Sequence, residues 1–270
     1  MTPTPILALH GTASNAKQWR GLQQSMAAER RVLTPDLPGY GEFGTADLPA
    51  TPGMERRLRS ICELLDILDE PCHVVGHSFG GALALRLGVM RPEQVLSISV
   101  YEPTALAVFH GCTQPLDQRF LGEFRRLGQI TASATPEVAM ESFVNYWMGP
   151  GQWTQLSSAN QNILTAVAKS AARDFQDALL DLDQPTPPKW YAGPVQILCG
   201  DSTVPASHRI AHLLMERLPN ASLQIMSGAG HMGPMTHGHD FHTAYRAFLR
   251  QLENDSESQS VAECITANCA

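Results

Sequence analysis

The stretch Pro71-Cys72-His73-Val74-Val75-Gly76-His77-Ser78-Phe79-Gly80-Gly81-Ala82 decides the fold of this chain of 270 residues. A short apolar, β-branched run reaches Val75, as in a buried strand. Good helix formers occupy residues 82–90. Between them lies Gly-x-Ser-x-Gly, which turns a strand into a helix within a few residues. So tight a turn strains the backbone at the serine and lifts its hydroxyl off the sheet. Side chains two positions either side of Ser78 would collide, so Gly76 and Gly80 fit there. The new helix aims its first amides at the serine. The Phe79 amide can therefore donate to an oxyanion that forms beside Ser78.

The rest of the chain supplies partners for this unit. Residues 6–9 read as a strand, 19–28 as a helix, 31–36 as a strand, 37–44 as a Gly- and Pro-rich loop and 54–68 as a helix. Residues 95–101 read as a strand. Alternating strand and helix predicts a doubly wound, mostly parallel sheet, an α/β fold. The alternation stops at Thr104, and helical patterns fill 120–130, 136–147 and 163–182. It resumes with a strand at 195–199, a helix at 207–218, a strand at 222–226 and a last helix at 241–252. The expected organisation is a core of residues 1–103 and 192–252, a helical cap of 104–191, and a polar, frayed tail of 253–270. A cap over one end of a parallel sheet is where a pocket forms.

A serine alkoxide needs a base. His231, in Gly228-Ala229-Gly230-His231 after the last apolar strand, follows Ser78 in the order this architecture requires. His77 flanks the serine and is expected to point into packing. His10 ends the first strand and is expected to brace the loop that follows. His237, His239 and His242 have no metal-motif spacing around His231, so no metal is expected.

The set of His10-Gly11, Asp36-Leu37-Pro38-Gly39-Tyr40-Gly41, Gly76-His77-Ser78-Phe79-Gly80-Gly81 and Gly228-Ala229-Gly230-His231 resembles the four landmarks of the α/β-hydrolase family, in its order, over about residues 4–252. The resemblance implies a Ser–His–acid triad and a helical cap. It also implies a second oxyanion donor at the amide after His-Gly, here Thr12. Family members with an Asp nucleophile, the dehalogenases and epoxide hydrolases, are disfavoured by Ser78.

The acid has two candidates. The family's usual position follows the strand at 195–199, and there the chain reads Gly200-Asp201-Ser202-Thr203-Val204-Pro205. Counting forward from Gly200 gives Thr203, and counting back from Pro205 gives Asp201. The alternative is Glu102, in Tyr101-Glu102-Pro103, closing an apolar strand where a carboxylate needs a partner. Glu102 is favoured and Asp201 stands second. Asp36 is expected to fix the loop of Pro38 to Gly41.

Composition narrows the substrate. With 19 Lys and Arg against 26 Asp and Glu, the net charge is −7, which disfavours nucleic acid and anionic membrane as partners. There is no apolar run of transmembrane length, and the N-terminus lacks a basic signal region, so a cytoplasmic location is expected. Cys62, Cys72, Cys112 and Cys199 read as reduced core thiols, and Cys264 and Cys269 as exposed tail thiols. The cap's Phe109, Phe120, Phe124, Phe143, Tyr146, Trp147, Met148 and Trp153 are mostly its own core. Trp147 and, beside the base, Met232 are expected to line the pocket. The sequence thus predicts a carboxylesterase-like serine hydrolase of small or medium apolar esters or lactones, needing no cofactor. A carbon–carbon bond hydrolase, an acyltransferase and a non-catalytic binder on this fold are the alternatives.

Overall fold

The computed structural model of the chain describes residues 3–41 and 48–268, with side chains up to residue 255. Residues 42–44 of the expected loop and the side chains of Cys264 and Cys269 lie outside that description. Six strands form one sheet: β1 (Ile6–Leu9), β2 (Val32–Leu33), β3 (Cys72–His77), β4 (Val95–Tyr101), β5 (Val195–Gly200) and β6 (Ala221–Met226). Their order is β2-β1-β3-β4-β5-β6, and every neighbouring pair is parallel.

Parallel neighbours need crossovers, and helices supply them. They are α1 (Arg20–Met26), α2 (Met54–Arg57), α3 (Arg59–Leu68) and α4 (Phe79–Met90), then the cap helices α5 (Pro115–Ser133), α6 (Pro136–Met148), α7 (Gln152–Gln155), α8 (Ser158–Ala166) and α9 (Ala168–Leu182). After β5 come α10 (Pro205–Arg217), α11 (Gly233–Thr236) and α12 (Gly238–Asn268). Alternation along each strand divides the core between the two sheet faces. Ile6, Ala8 and Val75 join Trp19, Leu22, Phe241 and Tyr245 of the α1 and α12 side. Leu7, Leu9, Val74 and Val100 join Leu65, Leu83 and Leu214 from α3, α4 and α10. The inner strands β1, β3 and β5 are buried along their whole length. Each fully buried Leu or Ile contributes roughly 1.5–3 kcal/mol.

Several expected elements differ in extent: the strand expected over 31–36 is only Val32–Leu33, and the helix expected over 120–130 runs Pro115–Ser133. The helix expected over 54–68 breaks at Leu58, which is fully buried and starts a second helix at Arg59. The break turns Arg57 inward. The helix expected over 163–182 is two helices meeting at Val167, where a tight turn redirects the chain so that Ala168 and Ala171 face the cap core. The last helix extends to Asn268, past the expected end at 252 and through the expected frayed tail. No Gly or Pro occurs after Gly238 to stop it.

Register positions the site. His77 pairs with Tyr101, and Tyr101 with Leu198, so β3, β4 and β5 finish side by side. The next residues, Ser78 and Glu102, therefore leave the sheet as neighbours at its C-terminal edge. Ligands of open α/β sheets bind at that edge.

Candidate active site

Ser78 sits between β3 and α4 with φ 52° and ψ −121°. Its backbone is fixed from both sides. The amide donates to the Tyr101 carbonyl, and the Ser78 carbonyl accepts from the Gly81, Ala82 and Thr104 amides. A side chain on Gly76 would strike the Gly80 carbonyl, and one on Gly80 would strike the carbonyls of Leu9 and His10. Glu102, one residue past β4, also has positive φ, 42°, as does Ala13, 57°, next to Thr12. The fourth non-glycine case among the described residues, Asp69, is a helix C-cap. Positive φ at residues other than glycine is a strain that concentrates at functional sites.

His231 lies between Ser78 and Glu102. Its Nε2 is 3.1 Å from Ser78 Oγ, and its Nδ1 is 2.8 Å from Glu102 Oε2. All three side chains are buried, at 3%, 5% and 2% exposure for Ser78, His231 and Glu102. Glu102 Oε1 accepts from the Gly200 amide at 2.9 Å, and Oε2 also accepts from Thr203 Oγ1 at 2.7 Å. Burial pushes this carboxyl up, but the bonds from His231, Thr203 and Gly200 outweigh it and hold it below the usual carboxylate range. An ionised acid fixes the proton of His231 on Nδ1 and leaves Nε2 free to accept from Ser78.

Asp201 is not brought to His231. It is exposed, and Oδ1 accepts from the Gly228 amide at 2.8 Å and the Ser202 hydroxyl at 2.9 Å. It pins the loop leading to the histidine and does not orient the ring. Thr203, the residue reached by counting forward from Gly200, instead donates to Glu102 Oε2.

The histidine loop has two further anchors. Tyr101 Oη donates to the Gly230 carbonyl at 2.7 Å. His77 Nε2 donates to the His231 carbonyl at 2.8 Å. Burial lowers the His77 pKa to about 3, so its ring is a neutral strut. Packing alone was the sequence expectation for His77, and its neighbour's carbonyl is the part that sequence could not supply.

On the other side of Ser78, the loop after β1 carries Thr12. Leu37 N donates to His10 Nε2 at 2.9 Å, so the ring proton is on Nδ1 and donates to the Gly11 carbonyl at 2.8 Å. The Gly11 carbonyl and the Thr12 N–H belong to one planar peptide and point in opposite directions. Fixing the carbonyl therefore aims the amide. Asp36 Oδ1 accepts from Ala16 N at 2.6 Å and ties down the end of the same loop, while its carboxylate also packs on Gly41. Among the described residues neither the Thr12 nor the Phe79 amide is taken by a hydrogen bond.

A narrow cleft adjoins Ser78, walled by Leu106, Phe124, Phe143, Trp147 and Phe175, with Thr12, Thr104 and Asp174 as its polar members besides the serine. Trp147 stacks on His231, with centroids 4.0 Å apart and planes at 18°. Met232, expected in the lining, is half-buried and lies outside it. Its carbonyl instead receives the Met235 and Thr236 amides as α11 begins, which carries the residue away from the cavity. Met148, at 43% exposure, is also outside. Cys62, Cys72, Cys112 and Cys199 are free thiols. Among the described residues no three His, Cys, Asp or Glu converge as metal ligands, and no helix is long and apolar enough to cross a membrane.

One feature leaves no trace in the sequence. Arg57 and Asp174, each 1% exposed, form an ion pair, and Arg57 Nε lies 3.6 Å from Asp177 Oδ2. Asp174 Oδ2 also accepts from Tyr40 Oη at 2.6 Å and Thr12 Oγ1 at 2.8 Å. Burial pushes the Asp174 carboxyl up to about 6 against the pull of Arg57, so at neutral pH it is a carboxylate.

Residues 6–244 match a family model described as the alpha/beta hydrolase family. The chain belongs to that family. As an alpha/beta hydrolase it is similar to a pimeloyl-[acyl-carrier protein] methyl ester esterase of Aeromonas salmonicida, 28% identical over 90% of this chain and 94% of that protein. It is also similar to the dihydrolipoyllysine-residue acetyltransferase component of an acetoin cleaving system of Pseudomonas putida, at 27% identity. That match covers 92% of this hydrolase and 64% of the longer relative. Among solved structures, a thermophilic esterase from Thermogutta terrifontis superposes with a TM-score of 0.67 at 20% identity, covering 93% of this chain and 91% of that one, a likeness of fold.

Proposed function

We propose that this protein is a serine hydrolase that cleaves a small or medium apolar carboxylic ester or lactone through an acyl-enzyme. The observation that carries the reading is the buried line Ser78–His231–Glu102 beside a largely apolar cavity. Ser78 Oγ attacks the acyl carbon while its proton passes to His231 Nε2. The carbonyl oxygen becomes an oxyanion between the Phe79 and Thr12 amides. Collapse breaks the acyl–oxygen bond, and the departing alcohol takes the proton from His231. Water then loses a proton to His231 as its oxygen attacks the acyl carbon. The second tetrahedral species releases the acid, and Ser78 regains its proton. The cycle closes without a cofactor. Glu102 keeps the imidazole oriented and balances its charge in both halves.

The test is a fluorophosphonate probe with a graded series of p-nitrophenyl esters. Wild type should label and turn over the shorter esters, and Ser78→Ala should do neither, with kcat lower by roughly 10⁵–10⁶-fold. Equal labelling of the two proteins would reject the reading.

A second reading, transfer of the acyl group to an alcohol or thiol instead of water, draws support from the apolar lining of the cleft and from the acetyltransferase relative. Mass spectrometry of products formed with an added acceptor alcohol separates the two. An acyl-acceptor product in place of free acid would favour transfer.

A further inference from the structure

The ion pair between Arg57 and Asp174 lies where the cap meets both oxyanion loops. Asp174 belongs to cap helix α9, whereas its partners belong to the core. It receives the Thr12 hydroxyl at 2.8 Å, the Tyr40 hydroxyl at 2.6 Å and the Arg57 guanidinium. Thr12 is the residue whose amide is assigned to the oxyanion under the proposed function. The other assigned amide is that of Phe79. Arg57 Cζ stands 5.4 Å from the centroid of the Phe79 ring. One cap carboxylate is thus joined to both oxyanion residues, to Thr12 directly and to Phe79 through Arg57.

The arrangement is difficult to explain as stability alone. Replacing a buried ion pair by apolar groups is often neutral or stabilising, so such a pair is weak evidence of a stabilising role. Here two carboxylates, Asp174 and Asp177, face one guanidinium, and Arg57 Nη1 and Asp177 Oδ2 find no hydrogen-bond partner. The geometric output is the part that is well made: both Asp174 oxygens are engaged, and Thr12 is held by its side chain while His10 holds the peptide on its other side.

We infer that Asp174 is a positioning residue through which the docked cap completes the oxyanion hole. It holds Thr12 by the hydroxyl and sets Arg57 against the Phe79 ring, so the hole that His10 and the elbow shape is tightened only while α9 is seated on the core. The inference rests on the proposed serine-hydrolase reading. It makes the cap part of transition-state stabilisation and not only a wall of the pocket. Loss of the contact should therefore weaken binding of the tetrahedral oxyanion and leave ground-state binding nearly unchanged.

The test compares the full-length wild type with Asp174→Asn, Thr12→Val and Thr12→Ser. Each is assayed for kcat and KM on p-nitrophenyl butyrate and for the Ki of an alkyl trifluoromethyl ketone, which forms a tetrahedral oxyanion on a serine. Asp174→Asn replaces one acceptor oxygen by a donating amide NH2 and removes the counter-charge of Arg57. Thr12→Val deletes only the hydroxyl and keeps the amide, so it carries the test if Asp174→Asn fails to fold. For both, kcat should fall and Ki should rise by a common factor of about 10- to 100-fold, with KM within about threefold. Thr12→Ser keeps the hydroxyl and should recover most of the kcat and Ki that Thr12→Val loses. If kcat falls while Ki is unchanged, or KM alone rises, Asp174 serves the cap's structure and the inference is overturned. Full activity in both variants overturns it too. A wild type that neither hydrolyses the ester nor binds the ketone rejects the underlying reading itself, an outcome distinct from all of these.

Discussion

Glu102 and Asp201 differ by what surrounds each oxygen. Glu102 is buried among three donors, one of them His231, whereas Asp201 is exposed and bonded to its own loop. Glu102→Gln should lower kcat by about 10³–10⁴-fold, because an amide does not hold the histidine in the required tautomer. Asp201→Asn keeps an acceptor oxygen for Gly228 and should stay within about threefold of wild type, as exposed substitutions usually do. Steady-state kinetics of the two purified variants decides it, and the reverse ranking would move the acid to Asp201. Ser78 and His231 were legible because each sits in a Gly-framed motif. The sequence favours Glu102 over Asp201 only narrowly, since the count along Gly200 to Pro205 gives two answers, and only space shows Thr203 in contact with Glu102. Trp147 was legible as a cap aromatic, yet its stacking on His231 depends on how α6 lies over the sheet. Trp147→Ala should reduce kcat by about tenfold through a looser imidazole, while Trp147→Phe should retain most of it, given that ring pairs contribute about 0.5–1.5 kcal/mol. Equal loss in both variants would count against stacking.

At the scale of elements, α4 packs so closely on the end of β1 that Gly80 has backbone carbonyls where a Cβ would go. Backbone cannot swing aside as a side chain does. Gly80→Ala should therefore cost about 3 kcal/mol, the upper part of the usual overpacking range, and displace Phe79 with it. Urea unfolding measures the cost, and a midpoint equal to wild type would contradict the close approach. The main strands are legible from apolar runs, and the α6 start from Pro136, whereas α5 and α10 begin earlier than expected, at Pro115 and Pro205 in their first turns. The breaks at Leu58 and Val167 carry no Gly or Pro, so periodicity ran through them. Both are set by tertiary packing, which directs Arg57 and α9 inward. Arg57 and Asp174 are 117 positions apart and read separately as ordinary charged residues of helix surfaces.

Across the whole molecule, three buried histidines resist protonation. Burial lowers His10 and His73 to about 4 and His77 to about 3. Below pH 6.5 the unfolded chain binds protons that the folded chain refuses, so their stabilisation is complete above pH 6.5 and is lost as pH falls toward 4. Asp174, raised to about 6, works in the opposite sense between pH 4 and 6. One such group does not offset three. The net loss from pH 7 to pH 5 is on the order of 5 kcal/mol at about 1.4 kcal/mol per pKa unit. Thermal melts should show Tm falling by roughly 10 °C over that interval. His73→Gln, far from the serine at the other end of β3, should flatten the dependence. A Tm that holds or rises on acidification would show that these rings are not neutral struts.

The positive φ angles at Ala13, Ser78 and Glu102 have a consequence for how the protein fails. Strained backbone persists only while its surroundings over-determine it. The first loosening of the core, too slight to melt a helix, releases these three residues toward relaxed angles. Chemical competence and folded structure should then part company in a denaturant titration. Serine labelling should fade at urea concentrations where the helical signal is still native, so the catalytic centre acts as the molecule's most sensitive gauge of its own packing.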